Sequence, residues 1–452
     1  MTGRTDRNLR KYLERYGDVR PIEGPALIDR TFSAAVVIPA LAESQHLRAT
    51  LESLAETSSP DRSRTVIVVI VNNSLPPGEK EDRHGYMQTV EDNTATLRLL
   101  NDCAGELPLN LVWIDAATPG RELPPDTGVG MARKIGCDSI LYEIYRDPPS
   151  STAVPCADTF CLAHLDADTL VAPNYLMVLQ RTVTSGSRTS AVVPFAHQKP
   201  IDAAHREAIA AYELYMRYYV EGLAYARSPY AFHTLGSAMA CTARAYVQVR
   251  GIPRRRTAGE DFYFLQNLAK NGSIVTASET TVYPSARLSA RVPFGTGQNV
   301  SMQLKGDPEE KTVYHPAVFE TLRHMLETVA SRSAEGAESI LAALADPAAR
   351  DFLAEAGFVT VWQKLERQHA PERVPLTAFY RWFDGLATLR LVRYLTRRVV
   401  PEMRLRNAWK MLGEMAGLRV PNPVGIPLDE LLEWCRQHQR KTPPRGLFAA
   451  VD

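Results

Sequence analysis

Six consecutive β-branched residues, Val66 to Val71 in the stretch RTVIVVIVNNS, leave no polar face anywhere along a strand. A strand without alternation is covered on both faces, and such strands belong to parallel sheets whose crossover helices provide the covers. Neighbouring stretches repeat the pattern. SAAVVIPALAES reads as a strand broken at Pro39 and followed by a helix to about residue 57, NLVWIDA as a third strand and FCLAHLDAD as a fourth. AVVPFA is a further strand. Between them, GVGMARKIGCDSILYEIY and the stretch from about Pro173 carry helical patterns. Strand and helix patterns alternate, which is the signature of an open, mostly parallel α/β sheet. Ligands of such sheets sit beyond the carboxyl ends of the strands, and Asn72, Asn73, Asp166 and Asp168 all fall at such ends.

Three stretches fall outside this alternation. Residues 75–108 are polar, contain PPGEKEDRHG and read as an insertion or mobile loop. Residues 203–226 read as a helix whose Tyr212, Tyr215 and Tyr219 form an aromatic stripe of the kind that usually packs a core. Beyond about residue 310 helical periodicity dominates, with GFVTVW the one strand-like exception. Within that region FYRWFDGLATLRLVRYLTRRVV reads as an amphipathic helix with Arg390, Arg393 and Arg397 opposite its apolar face. Such a charged face is most often simply solvated.

Composition narrows the function classes. A net charge of +1 gives no field that would gather nucleic acid. The apolar strings are too short to span a bilayer, and the charged N-terminus has no signal core. The six cysteines, 103, 137, 156, 161, 241 and 435, form neither a C-x-x-C pair nor a zinc spacing. These features predict a cytoplasmic protein with no transmembrane segment, peripheral membrane contact at most, and an oligomeric state the sequence does not encode.

The chemistry concentrates in two acidic pairs. Asp166-Ala167-Asp168 ends the fourth strand, where sheet geometry fixes two carboxylates at one edge. Hard cations such as Mg²⁺ or Mn²⁺ take one or two protein carboxylates and complete their shell with phosphate oxygens and water. Glu260 and Asp261 open the helix DFYFLQNLAKNG, which stops at Gly272. Acidic residues are welcome at the positive end of a helix dipole, and that alone explains the pair. The chemical alternative is a general base for an acceptor hydroxyl.

Taken together, these segments resemble the nucleotide-sugar glycosyltransferases of the GT-A fold, family 2 type. VVIPALAES is similar to their V-I-P-A-x-x-E opening, VGMARKIG to their G-x-x-x-A-R-N-x-G segment and HLDADTLVAPNYL to their D-x-D strand with its following Pro. VRGIPRRRTAGEDFYFLQNLAKNG is similar to their G-G-F…E-D-x-x-L…G block. The order holds from about residue 33 to 280. The resemblance implies a GT-A-like, Rossmann-related α/β fold with a mostly parallel open sheet and a helical C-terminal extension. It divides the chain into a leader helix at 1–30, a glycosyltransferase domain at 31–305 and a mostly helical region at 306–452.

The resemblance also implies a metal-dependent, inverting glycosyltransferase of hexosyltransferase type that uses Mn²⁺ or Mg²⁺, a nucleotide-sugar donor and a hydroxyl acceptor. Pro39, Ala40 and Glu43 would line the nucleoside pocket, with Arg133 or Lys134 near the nucleotide. Asp166 and Asp168 would bind the metal diphosphate, Asp166 also serving metal or ribose. Asp261 would be the base, with Glu260 beside it. His233, Gly236 and Ser237 fall where acceptor-contacting groups stand in the family. SARLSARVPFGTGQNV, with Arg287, Arg291, Gly295 and Gly297, reads as a basic lid over a diphosphate; a plain surface loop is its simpler explanation.

The chain departs from the family pattern in three ways. Asn72 and Asn73 stand where an acidic pair is common; an amide there could read a base edge or merely form a turn. No histidine lies between Asp261 and His315 to serve as a further metal ligand, and the Q-x-x-R-W motif of processive synthases is missing. Two rivals remain, a nucleotidyltransferase on a similar fold and a catalytically silent nucleotide-sugar-binding scaffold.

Overall fold

The computed structural model describes residues 2–25, 31–74, 83–124, 127–146, 154–185, 189–200, 202–254, 259–287, 310–369 and 374–444. The chain divides into two compact units. One comprises Met1–Gln198 and Thr234–Gly295, the other Lys199–His233 and Thr296–Asp452.

The first unit is a mixed α/β structure. Its strands in chain order are β1 (Ala34–Ala40), β2 (Thr65–Asn72), β3 (Asn110–Ala116), β4 (Cys161–His164), β5 (Leu170–Val171), β6 (Ser190–Val192), β7 (Met239–Thr242), β8 (Ile274–Thr276) and β9 (Val282–Tyr283). Seven form one sheet in the order β3-β2-β1-β4-β7-β6-β8. β3, β2, β1 and β4 are parallel neighbours, β7 runs antiparallel to both β4 and β6, and β6 pairs parallel with β8. β5 and β9 form a separate antiparallel pair. Every residue of β1 and β2 is buried, as their unbroken apolar sequences require.

The helix Val129–Tyr145 packs on β1 and β2. Gly136 makes this close approach possible: a Cβ there would stand 2.5 Å from Ile70 Cδ1 and 2.6 Å from Val37 Cγ1. The helix is buried nearly all round, so its polar side chains must find partners inside the protein. Lys134, 3% exposed, points away from the strand ends into a closed network. Its Nζ donates to Tyr12 Oη and Asp138 Oδ2, each at 2.7 Å. Asp138 also accepts from the hydroxyls of Tyr12 and Tyr246 and from the backbone N–H of Asp18, at 2.8, 2.9 and 2.8 Å. Lys134 therefore ties the N-terminal helix Thr2–Tyr16 to the sheet domain.

Three expectations change, the third within the helical unit described below. Of the stretch read as an insertion or loop, residues 83–106 form one long helix, with 75–82 outside the described residues. Its buried Asn93, Thr96, Leu100 and Cys103 recur every three or four positions, a face too polar to register as apolar periodicity. GFVTVW is not a strand: Phe358–His369 is a helix whose Phe358 and Trp362, one turn apart, are both buried. Core packing of those two aromatics overrides the strand preference of Val359, Thr360 and Val361.

The second unit is mostly helical, with one short ribbon pairing Thr312–Val313 and Met403–Arg404. Trp362, Trp409, Tyr218, Phe319, Phe358, Phe379 and Phe383 are its largest buried side chains. FYRWFDGLATLRLVRYLTRRVV forms two helices rather than one, Leu376–Trp382 and Gly385–Arg398. The break falls at Asp384, whose side chain caps the second by accepting from Leu386 and Ala387 N–H. All six cysteines are free thiols. Among the described residues no helix is long and apolar enough to cross a membrane.

Removing the cation from a closed network leaves a buried carboxylate exposed to the cost of its own charge. Lys134→Met is expected to lower unfolding free energy by about 3 kcal/mol, measured by urea denaturation. A loss below about 1 kcal/mol, the level of a surface pair, would contradict this account.

Candidate active site

The carboxyl ends of β1, β2 and β4 lie side by side, and the predicted residues gather there. Pro39 and Ala40 end β1 and are buried. The loop that follows turns through Ala42 at φ 52° and is held by the Asn93 side chain. Asn93 Oδ1 accepts from Ala42 N at 2.9 Å, and its Nδ2 donates to the Asn72 carbonyl at 3.2 Å. Asn93 thus joins the ends of β1 and β2, a role that nothing in its polar sequence surroundings signalled.

Asn72 and Asn73 are both at least 95% buried. Asn73 continues the sheet's bonding, donating its N–H to Ala116 O at 3.0 Å and accepting from Leu123 N–H at 2.9 Å. Its Oδ1 accepts from Ser74 N–H at 2.9 Å, which fixes the amide orientation. Its Nδ2 is buried without a hydrogen-bond partner among the described residues. A simple turn would leave that group in water.

The two acidic pairs meet through one guanidinium. Arg133, 2% exposed, donates through Nη1 to Glu260 Oε1 and through Nη2 to Asp166 Oδ1. Two glycines make room for this junction. A Cβ on Gly236 would collide with the Arg133 guanidinium, and one on Gly130 would lie 2.9 Å from Glu260 Cβ. Neighbouring Ser237 is buried in the turn that leads into β7. A second guanidinium lies on the other side of the D-x-D turn. Arg287 donates through Nη2 to Glu43 Oε1 at 2.5 Å, and its Nε stands 2.8 Å from Asp168 Oδ2. Gln198 Nε2 donates to the Asp168 carbonyl at 3.0 Å and Thr50 Oγ1 to that of Ala167 at 2.9 Å, which pins the turn.

Electrostatics follow from this packing. Burial pulls the Arg133 guanidinium down, but Asp166, Glu260 and Asp261 outweigh it and raise its pKa. The Asp166 side chain keeps 41% of its surface open, yet enough protein surrounds it that burial raises its carboxyl, with Arg133 opposing and Asp168 adding. For Asp261, burial first and the neighbouring Glu260 second push the carboxyl up to about 7, against the pull of Arg133. His164, two residues before Asp166, is held neutral: burial drives it down to about 3.

Two of the predicted residues are engaged in other contacts. Lys134 belongs to the Asp138 network on another face of its helix. His233 belongs to the helical unit, where its Nε2 stands 3.1 Å from Gln439 Oε1 and burial holds its pKa at about 3. Gln439 in turn accepts from Arg217 Nη1 at 3.0 Å, and Arg217 pairs with buried Glu213. Arg291, Gly295 and Gly297 lie outside the described residues.

The donor set bears on the metal. Glu43, Asp166, Asp168, Glu260 and Asp261 set five carboxyl groups against the guanidiniums of Arg133 and Arg287. An incoming diphosphate would add negative charge to a carboxylate excess, which a divalent cation on Asp166 and Asp168 would relieve. No group of three His, Cys, Asp or Glu suited to a metal occurs among the described residues, and a cation sharing its shell with phosphate and water asks for only one or two carboxylates. The residues present fit such an ion.

Neither a family model nor a curated protein matches the chain. Among solved structures, S. aureus TarS 1–349 in complex with UDP-GlcNAc aligns at 11% identity over 90% of this chain and 92% of that one, with a TM-score of 0.35. The mannosyltransferase PcManGT from Pyrobaculum calidifontis, in complex with GDP-Man and Mn²⁺, aligns at 13% identity over 87% and 93%, with a TM-score of 0.33. Likeness at these scores carries no weight for fold or function.

Asp261 makes folding pH-dependent. In the unfolded chain it ionises near 3.8, and in the folded protein near 7. Between those values the unfolded state gives up its proton first, so the folded state loses stability as pH rises and carries the full penalty above 7. Asp261→Asn in metal-free buffer should therefore match wild-type melting temperature near pH 4 and increasingly exceed it up to about pH 7. A difference that does not vary with pH would contradict the assignment.

Proposed function

We propose that the chain is a glycosyltransferase that moves a sugar from a nucleoside-diphosphate sugar to an acceptor hydroxyl. The observation that carries this reading is the convergence of both acidic pairs on Arg133 at the carboxyl ends of parallel strands, where α/β sheets bind their ligands. The strands there form the GT-A-like domain of this reading, and the helical region is its extension.

In this mechanism Pro39, Ala40, Glu43, Asn72 and Asn73 line the nucleoside side, and Asn73 Nδ2 supplies a donor for an acceptor atom on the base. Asp168 and Asp166 would hold Mn²⁺ or Mg²⁺, which supplies positive charge to the departing diphosphate. Asp261 takes the proton of the acceptor O–H as that oxygen bonds to the anomeric carbon. The bond from that carbon to the diphosphate oxygen breaks, and the nucleoside diphosphate leaves. One base and a single displacement invert the configuration. Arg133 holds Glu260 beside Asp261 and Asp166 beside the diphosphate. Arg287 exchanges its carboxylate partners for phosphate oxygens as the donor enters. A base near pKa 7 suits this task, because it is available at neutral pH and still accepts a proton well.

Purified protein should hydrolyse or transfer from one of a panel of UDP-, GDP-, ADP-, CDP- and dTDP-sugars in the presence of Mn²⁺, releasing the nucleoside diphosphate. Pyrophosphate as the product would favour the nucleotidyltransferase, and no turnover in folded protein the binding scaffold. With an active donor, kcat/KM should rise with pH to a plateau above about 7 as Asp261 loses its proton. Asp261→Asn should lower kcat by about 10² to 10⁴-fold and remove that limb. Near-normal turnover in Asp261→Asn would remove it from the mechanism.

A further inference from the structure

A cluster at the edge of the helical unit's core joins tyrosine rings to cations, with Tyr314 buried and Tyr215 and Tyr219 packed against that core. Tyr215 and Tyr219, one turn apart on the helix Ala203–Tyr225, are only partly buried. The Tyr314 ring stands 6.5 and 5.9 Å from theirs. Tyr314 is itself held from behind, because its carbonyl accepts from the hydroxyl of buried Tyr218 at 2.5 Å. Two cations close on these rings. Lys311 Nζ lies 5.2 Å from the Tyr215 ring centroid, and the Arg393 guanidinium lies near the phenol groups of Tyr314, Tyr215 and Tyr219.

The positive charge here is under-compensated. Lys311 is half-buried, and burial lowers its pKa against the opposing pull of Glu402. Glu402 is also engaged by the Thr312 hydroxyl at 2.6 Å. Arg393 is exposed and lies on one helical stripe with exposed Arg390 and Arg397, three and four residues away. None of the three has a carboxylate partner among the described residues. Arg398, by contrast, lies over the Tyr394 ring, which faces Glu355 and Asp351.

A guanidinium fork and a sheltered ammonium together suit a phosphoryl group. Partly exposed tyrosine faces beside them suit the C–H surface of a polyhydroxylated skeleton, with phenol oxygens at its edge. An extended lipid surface would call for exposed apolar side chains along the same stripe, and Val399, 51% exposed, stands only at its end.

We propose that Lys311, Arg393, Tyr215 and Tyr219, backed by buried Tyr314, form a binding site for a phosphorylated polyhydroxy compound, a sugar or polyol phosphate. Arg393 and Lys311 meet the phosphoryl group, and Tyr215 and Tyr219 meet the carbon skeleton. That the site binds this compound does not rest on the glycosyltransferase reading.

Titration calorimetry on the full chain tests this with glucose 6-phosphate, glucose and inorganic phosphate. Glucose 6-phosphate should bind at least about tenfold more tightly than either of the others, a difference of about 1.4 kcal/mol. Arg393→Glu, at an exposed position, should weaken it by at least the same factor while its melting temperature without ligand stays at the wild-type value. Lys311→Met provides a second, non-reversing variant and should weaken it likewise. Equal affinity for glucose, equal affinity for inorganic phosphate, or wild-type affinity in both variants would each overturn the proposal. So would binding to phosphatidylglycerol vesicles, lost in Arg393→Glu, without glucose 6-phosphate binding. Nucleoside diphosphates titrated into the same samples keep the two readings apart. If they fail while glucose 6-phosphate binds, the donor assignment falls and this site stands.

Discussion

The buried guanidinium of Arg133, shared between Asp166 and Glu260, is the interaction on which the rest of the site depends. Each carboxylate taken from water alone would cost several kcal/mol, and a single charge held between them offsets much of that. Carboxylates that would otherwise repel are thereby kept close together. Asp261 then sits next to Glu260 without a comparable partner, and its proton is held to about pH 7. Structure and protonation are linked here: the pair that fixes the geometry also leaves one neighbouring carboxyl holding its proton up to about pH 7.

The sheet explains why this junction forms where it does. β1, β2 and β4 are parallel neighbours, so their carboxyl ends open on the same edge. The helix Val129–Tyr145 crosses beneath β1 and β2 and delivers Arg133 to that edge. Its next residue, Lys134, turns about 100° around the helix and holds the N-terminal helix through Asp138 and Tyr12. One helix therefore anchors the site on one face and the scaffold on another, and the glycines at 130, 136 and 236 set how closely its neighbours approach.

Much of the fold was legible in the sequence because strands buried on both faces leave an unmistakable apolar run, as Val66 to Val71 do. The helix at 83–106 was not, because its inward face includes Thr96, which bonds back to its own helix, and Asn93, whose partners are backbone groups distant in sequence. Asn93 shows the limit plainly: its value lies in joining two strand ends, and no local pattern encodes that. At the site, both acidic pairs were visible as motifs, but their meeting on Arg133 was not. Adjacent Arg133 and Lys134 read alike in sequence and diverge only once the helix has neighbours. His233 had a motif position, yet its partners come from Gln439, more than two hundred residues further on.

The central claim is that the carboxyl-end site holds a nucleoside diphosphate through a divalent cation on Asp168 and Asp166. Electron paramagnetic resonance of free and bound Mn²⁺ tests it most directly, with each common nucleoside diphosphate titrated into wild type and Asp168→Asn. The account predicts that one nucleoside diphosphate brings Mn²⁺ onto the protein and that Asp168→Asn abolishes this uptake. Uptake unchanged in the variant, or a nucleoside diphosphate that binds equally well with the metal chelated, would contradict it.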